Sequence, residues 1–64
     1  MSPDEIKRLR QQYAIPLIEL AGWTGLPSGL IGQIEDKSVV ALQSDLDRIE
    51  TVLKRLIKER EIQR

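Results

Sequence analysis

The sequence predicts an all-α protein with a single domain. Apolar residues recur at intervals of three and four along most of the chain, which is the spacing of amphipathic helices. The stretch from Leu42 to Gln63 contains no Gly or Pro, the residues that most strongly interrupt a helix. With 41% hydrophobic and 31% charged residues in a chain of 64, the composition is that of one small folded domain.

The first helix is predicted over about residues 3–13. Ser2 is a capping residue, Pro3 suits the first helical position, and Glu5 follows Ser2 by three residues, as in a capping box. Pro16 disfavours helical geometry at the residue before it and so ends the helix. The buried stripe of this helix is predicted to contain Ile6, Leu9, Tyr13 and Arg10.

Two short helices are predicted next. Pro16 can open the second helix at its first turn, with the segment from Gly22 to Gly25 marking its end. The third helix begins at Pro27 or Ser28, and its glycines weaken it by up to about 1 kcal/mol each relative to Ala. The buried positions are predicted to be Leu17, Leu20 and Ala21 in the second helix and Leu30, Ile31 and Ile34 in the third.

A long final helix is the last predicted element. Its acidic residues come early and its basic residues late, which matches the helix dipole. Its apolar residues alternate steps of three and four, the seam of a coiled coil; they are Val39, Leu42, Leu46, Ile49, Leu53 and Leu56. The single domain therefore divides into a three-helix core, residues 1–41, and a C-terminal helix, residues 42–64, that packs on this core.

Composition excludes several classes of function. The net charge is zero and the pI is about 6.2, so no global field draws the chain to nucleic acid or to an anionic membrane. Without Cys or His, zinc sites and nucleophile–base pairs cannot form, and no Gly-rich phosphate loop is present. We expect no enzymatic activity, metal, cofactor or small-molecule substrate. The charged start and the lack of a long apolar run predict a cytoplasmic protein without a membrane span.

The segment from Leu17 to Glu35 has the spacing of a helix-turn-helix, and together with its flanks it resembles the Cro/repressor-type, or Xre, family. The resemblance covers roughly residues 6–53. It is carried by Leu9-Arg10, Leu20-Ala21, Gly25, Ile34-Glu35 and the later positions Leu46, Ile49 and Leu53. A small residue at Ala21 lets two helices cross closely, and Gly25 can adopt positive φ in the turn.

The resemblance implies a lambda-repressor-like helix-turn-helix core and a sequence-specific DNA-binding transcriptional regulator. It also implies a structural ion pair between Arg10 and Glu35, which correspond to an Arg and a Glu that commonly pair in the family. The chain departs from the family before the second helix, where Pro16 and Leu17 replace the polar residues that meet a phosphate. The predicted recognition helix also contains no Lys or Arg.

Candidate DNA-binding residues are therefore few and nearly neutral. Gln33 can bond an adenine edge, Ser28 can touch a base or a phosphate, and Leu30 can contact a thymine methyl group. Gly29 lies on the same exposed side of the helix. Lys37 replaces a Gly of the family and would lie near a flanking phosphate strand, although an exposed Lys also serves solubility alone.

The long final helix departs most from the family, because it runs on where relatives break and start a fifth helix. It thus replaces helices 4 and 5. Apolar residues projecting past the core would then join two copies into a homodimer on an inverted repeat; the predicted dimerisation residues are Val52, Leu53, Leu56 and Ile57. The alternative is a helix end that folds back on its own domain.

Two classes of function remain. The leading one is the small homodimeric regulator that binds double-stranded DNA. The alternative is a protein–protein interaction module that keeps the helix-turn-helix scaffold and has lost its DNA contacts, which the neutral recognition helix favours. Trp23 fits either class, as a partly buried core or interface residue or as a DNA contact.

Overall fold

The computed structural model describes residues 1–62, and within them the chain is all-α, as predicted. It contains four helices, α1 Pro3–Gln12, α2 Leu17–Thr24, α3 Ser28–Glu35 and α4 Gln43–Ile62. No strand occurs in this range. None of these helices is both long enough and apolar enough to cross a membrane.

Helix α1 begins and ends with hydrogen-bonded caps. The backbone N–H of Glu5 donates to Ser2 Oγ at 3.3 Å, and the N–H of Ser2 donates to the Glu5 carboxylate at 3.5 Å, completing the predicted capping box. At the other end Ala14 has φ 52°, and the N–H of Ile15 donates to the carbonyl of Arg10 at 2.9 Å. This left-handed residue reverses the chain and delivers the buried side chain of Ile15 to the core.

One predicted detail of α2 is wrong, since Pro16 is the extended residue before the helix rather than its first helical residue, and its carbonyl accepts the first helical hydrogen bonds. The predicted end is confirmed: the helix runs through Gly22 to Thr24 and is capped by Gly25, where φ is 76°. Thr24 stabilises this end: its buried hydroxyl donates to the carbonyl of Leu20 at 2.8 Å and accepts the N–H of Leu26.

The core lies where all four helices meet. Helices α3 and α4 each pack against both α1 and α2. Seven of the buried side chains are at most 1% exposed, namely Ile6, Ile15, Leu20, Ile31, Ile34, Ile49 and Leu53. Val39 and Leu42, predicted on the apolar seam, instead lie in the connection before α4, where they are 38% and 66% exposed.

The C-terminal half of α4 packs on its own domain, which corrects the predicted dimerisation seam. Leu53 is fully buried and Leu56 is 4% exposed, so neither side chain projects past the core. Val52 and Ile57 are partly buried and pack against the same core. Leu53 and Leu56 therefore serve the fold of one chain, as in the alternative of a helix end that folds back, while a role of partly exposed Val52 and Ile57 in a dimer stays a prediction.

Three arginines connect α4 to α2. Arg60 pairs with Glu19 at 2.9 Å, the Arg55 guanidinium lies 5.3 Å from the ring centre of Trp23, and Arg48 donates to the carbonyl of Thr24 at 3.4 Å. The contacted positions of α2 rise as those of α4 fall, so the two helices run antiparallel. The three contacts hold α4 against its own domain from Arg48 to Arg60.

Candidate nucleic-acid interface

Helix α3 has one buried side and one exposed side. Ile31, Ile34 and Glu35 are buried and fix its orientation against α1 and α2. The opposite side, here called the outer face of α3, consists of Ser28, Gly29, Gly32 and Gln33; Gly32 is partly buried and the others are exposed.

The structure brings most of the predicted DNA-binding residues onto or beside this outer face. Ser28, Gly29 and Gln33 lie on it, and exposed Lys37 follows the C-terminal end of α3. Leu30 differs, because its side chain is partly buried and packs against the core.

The turn between α2 and α3 sets the position of the outer face. It consists of three residues, Gly25, Leu26 and Pro27. Gly25 adopts the left-handed conformation at φ 76°, which a residue with a side chain would adopt only with strain. Pro27 has the extended backbone of an N-cap, so α3 starts directly after the turn.

Helix α2 contains an exposed apolar side chain to which the sequence prediction gave no role. Ile18, in the first turn of α2, is 76% exposed. Its neighbour Leu17 contacts α3: the Leu17 Cδ1 atom lies 3.6 Å from the position a Cβ would take at Gly32. Leu17 is partly buried and packs against the core, whereas Ile18, one residue later, is exposed to solvent.

Gly22 and Gly29 have no packing reason to lack a side chain. A Cβ built on either residue would meet no atom within 4 Å. Both lie inside helices, where Gly costs about 0.5–1 kcal/mol relative to Ala. The fold of the isolated chain therefore does not require them.

The side chains of Arg10 and Glu35 join the end of α1 to the end of α3. Arg10 Nε donates to Glu35 Oε2 at 2.7 Å and Nη2 to Oε1 at 2.9 Å, while Nη1 donates to the carbonyl of Ile15 at 3.1 Å. The hydrogen bond to the Glu35 carboxylate raises the pKa of Arg10, so the guanidinium remains charged. This pair holds α3 and the α1–α2 connection in one arrangement.

Lys37 is an exposed cation at the C-terminal end of α3. Its ammonium lies 2.9 Å from a carboxylate oxygen of Asp4, and a second pair, Lys7 with Asp36, lies nearby at 3.4 Å. Lys37 also has φ 61°, a backbone conformation that favours Gly. The family that the sequence resembles carries a Gly at this position. The lysines closest to α3 are thus both paired with carboxylates.

Comparisons with models of protein families, with curated proteins and with solved structures found no match to this chain.

Proposed function

We propose that this protein is a sequence-specific DNA-binding transcriptional regulator of the helix-turn-helix type, acting as a homodimer on a short inverted repeat. The observation that carries the proposal is the unit of two eight-residue helices joined by a three-residue turn with a left-handed Gly25. In that arrangement α3 enters the major groove of the duplex and presents its outer face to the base edges.

The hydrogen-bonding groups of the outer face suit this role. Gln33 is exposed, and its amide can donate to and accept from an adenine edge in the bidentate manner. The Ser28 hydroxyl lies in the first turn of α3, where it can reach a base or a phosphate. Because Arg10 and Glu35 tie α3 to α1, this helix can enter a groove without losing its orientation to the domain.

Phosphate contacts can come from the backbone where side-chain cations are missing. Helices α2 and α3 are both preceded by a proline, and neither has a side chain that caps its first N–H groups. Free N–H groups at a helix N-terminus point outward and favour an anion. Arg8, which is exposed and makes no ion pair within the described residues, adds a cation on α1.

A homodimer needs a surface beyond Leu53 and Leu56, because these two side chains are buried in their own domain. The most exposed apolar side chains of the connection between α3 and α4 are Val40, which is 98% exposed, and Leu42, which is 66% exposed. We propose that a second copy covers this connection. Substituting Asp for Val40 is then expected to give a monomer by sedimentation velocity.

A protein–protein interaction module is the second candidate. It is favoured by Trp23, which remains 61% exposed beside Arg55, and by Ile18, since exposed large apolar side chains mark contact surfaces. In this case the neutral outer face of α3 would bind no nucleic acid.

One experiment distinguishes the two candidates. Duplexes are enriched from a random pool with the immobilised protein, and the best one is titrated into ¹⁵N-labelled protein. The regulator predicts amide shifts concentrated at Ser28, Gly29, Gln33 and the first turn of α2. Failure to enrich any duplex, with a well-dispersed spectrum of folded protein, contradicts the regulator.

A further inference from the structure

We infer that the duplex bound by this protein is rich in A·T pairs and that Ile18 contacts the 5-methyl groups of thymines. The inference rests on the proposed function and names the class of sequence that the site would take.

The polar groups of the site favour A·T over G·C pairs. Guanine is most often recognised by a bidentate Arg or Lys, and residues 17–36 contain neither. Gln33, the longest exposed polar side chain of the outer face, matches the donor and acceptor pattern of adenine. The Ser28 hydroxyl can pair with any base. Recognition of guanine would therefore lack its usual partner at this surface.

The apolar group of the site favours thymine. Ile18 is 76% exposed in the first turn of α2, and the residue before it, Leu17, contacts α3 at Gly32, so Ile18 belongs to the turn of α2 that meets α3. In the major groove the thymine 5-methyl is the apolar group that distinguishes one base edge from the others. A duplex with thymines at this position would remove Ile18 from water, whereas one with cytosines would offer no matching methyl group.

The two glycines of the outer face allow both groups to reach the bases. Gly29 and Gly32 have no side chain that could hold the α3 backbone away from the groove floor. Gln33 lies one turn from Gly29, where a built Cβ meets no atom, whereas the Leu17 Cδ1 atom lies 3.6 Å from the position a Cβ would take at Gly32. The amide of Gln33 thus extends further than any other polar group of the outer face, and the side chain of Ile18 is exposed in the first turn of α2.

Replacing thymine with uracil tests the inference, because it removes only the 5-methyl group. The probe is the duplex enriched from the random pool, in a thymine form and in a form with uracil inside the enriched segment; a third duplex carries uracil only in the flanks. We expect weaker binding by about fourfold for each contacted methyl, from about 0.8 kcal/mol per buried carbon, and no change for the flank control.

Two variants assign the effect to Ile18. Ile18→Ser should weaken binding to the thymine duplex and abolish the difference between thymine and uracil, while Ile18→Val should keep most of that difference. Since Ile18 is exposed, circular dichroism should show both variants folded. Equal binding of the thymine and uracil duplexes, or an enriched pool rich in G·C, would overturn the inference and leave the regulator standing. Failure to enrich any duplex would overturn the regulator itself.

Discussion

Arg10 donates two hydrogen bonds to the carboxylate of Glu35, at 2.7 and 2.9 Å, although the two residues lie 25 positions apart in the chain. The Glu35 side chain is only 3% exposed and that of Arg10 15% exposed. A bidentate pair of this kind fixes both distance and orientation between two helices. The Arg10–Glu35 pair therefore adds a directional constraint to the packing of Ile31 and Ile34 that orients the outer face of α3.

Replacing Arg10 with Met should destabilise the protein by about 3 kcal/mol, because the buried carboxylate of Glu35 loses its partner. That amounts to most of the stability expected of a domain this small. Urea unfolding followed by circular dichroism measures the change. The double variant Arg10→Met/Glu35→Leu should recover part of the loss. Lys7→Met, which breaks an exposed pair, should cost less than about 1 kcal/mol; equal costs for the two single variants would contradict the account.

Substituting Gly for Ala14 should stabilise the protein by about 0.5–1 kcal/mol. Ala14 is exposed and has φ 52°, where the absence of a Cβ relieves steric strain that exceeds the entropic cost of Gly. Thermal unfolding measures the effect. Ala21→Gly is the matched control, since Ala21 lies inside α2 and its replacement should destabilise the protein by a similar amount. A destabilised Ala14→Gly variant would show that the left-handed cap is not strained.

Substituting Ala for Gly29 should raise stability and lower the affinity for DNA. The added Cβ meets nothing in the isolated protein and improves helix propensity by about 0.5–1 kcal/mol. In the complex it would lie between the α3 backbone and the base edges. Thr51→Ala, on the exposed side of α4, is the control that should raise helix propensity without changing DNA affinity. Unchanged affinity in the Gly29→Ala variant would show that α3 does not approach the bases closely.

Removing the carboxylate of Asp4 should strengthen DNA binding. In the free protein Asp4 neutralises Lys37, which would otherwise be free to contact a phosphate beside α3. Since an exposed pair contributes up to about 1 kcal/mol, we expect up to about fivefold tighter binding for Asp4→Asn at low salt. The control is Asp47→Asn, which makes the same change in net charge at an exposed position of α4. If both variants gained affinity equally, net charge would explain the effect and the pairing of Lys37 would not.

The sequence predicted the helices well where capping residues mark their ends. Ser2 and Glu5 positioned α1 because their side chains bond to specific backbone groups nearby, and Pro27 positioned the start of α3 because its backbone is restricted to an extended conformation suited to the residue before a helix. The partner of Lys37 could not be foreseen, since Asp4 is remote in sequence and comes near only through the packing of α1 against α3.

The main error concerned the surface that the apolar side chains Leu53 and Leu56 of α4 contact. A repeat of three and four shows which side chains share a face, but it does not show whether that face meets a second chain or the same one. Leu53 and Leu56 meet the core of their own domain, and Arg60 with Glu19 ties the end of the helix to α2.

The most direct test of DNA binding through α3 is a fluorescence anisotropy titration over a salt series. The labelled duplexes are the enriched sequence, a shuffled sequence of the same composition and the region upstream of the protein's own gene. The account predicts that the enriched duplex binds most tightly, that binding weakens steadily as salt rises from about 50 mM, and that Gln33→Ala reduces the preference over the shuffled duplex. Absence of binding to every duplex at the lowest salt, with the protein folded, would contradict it.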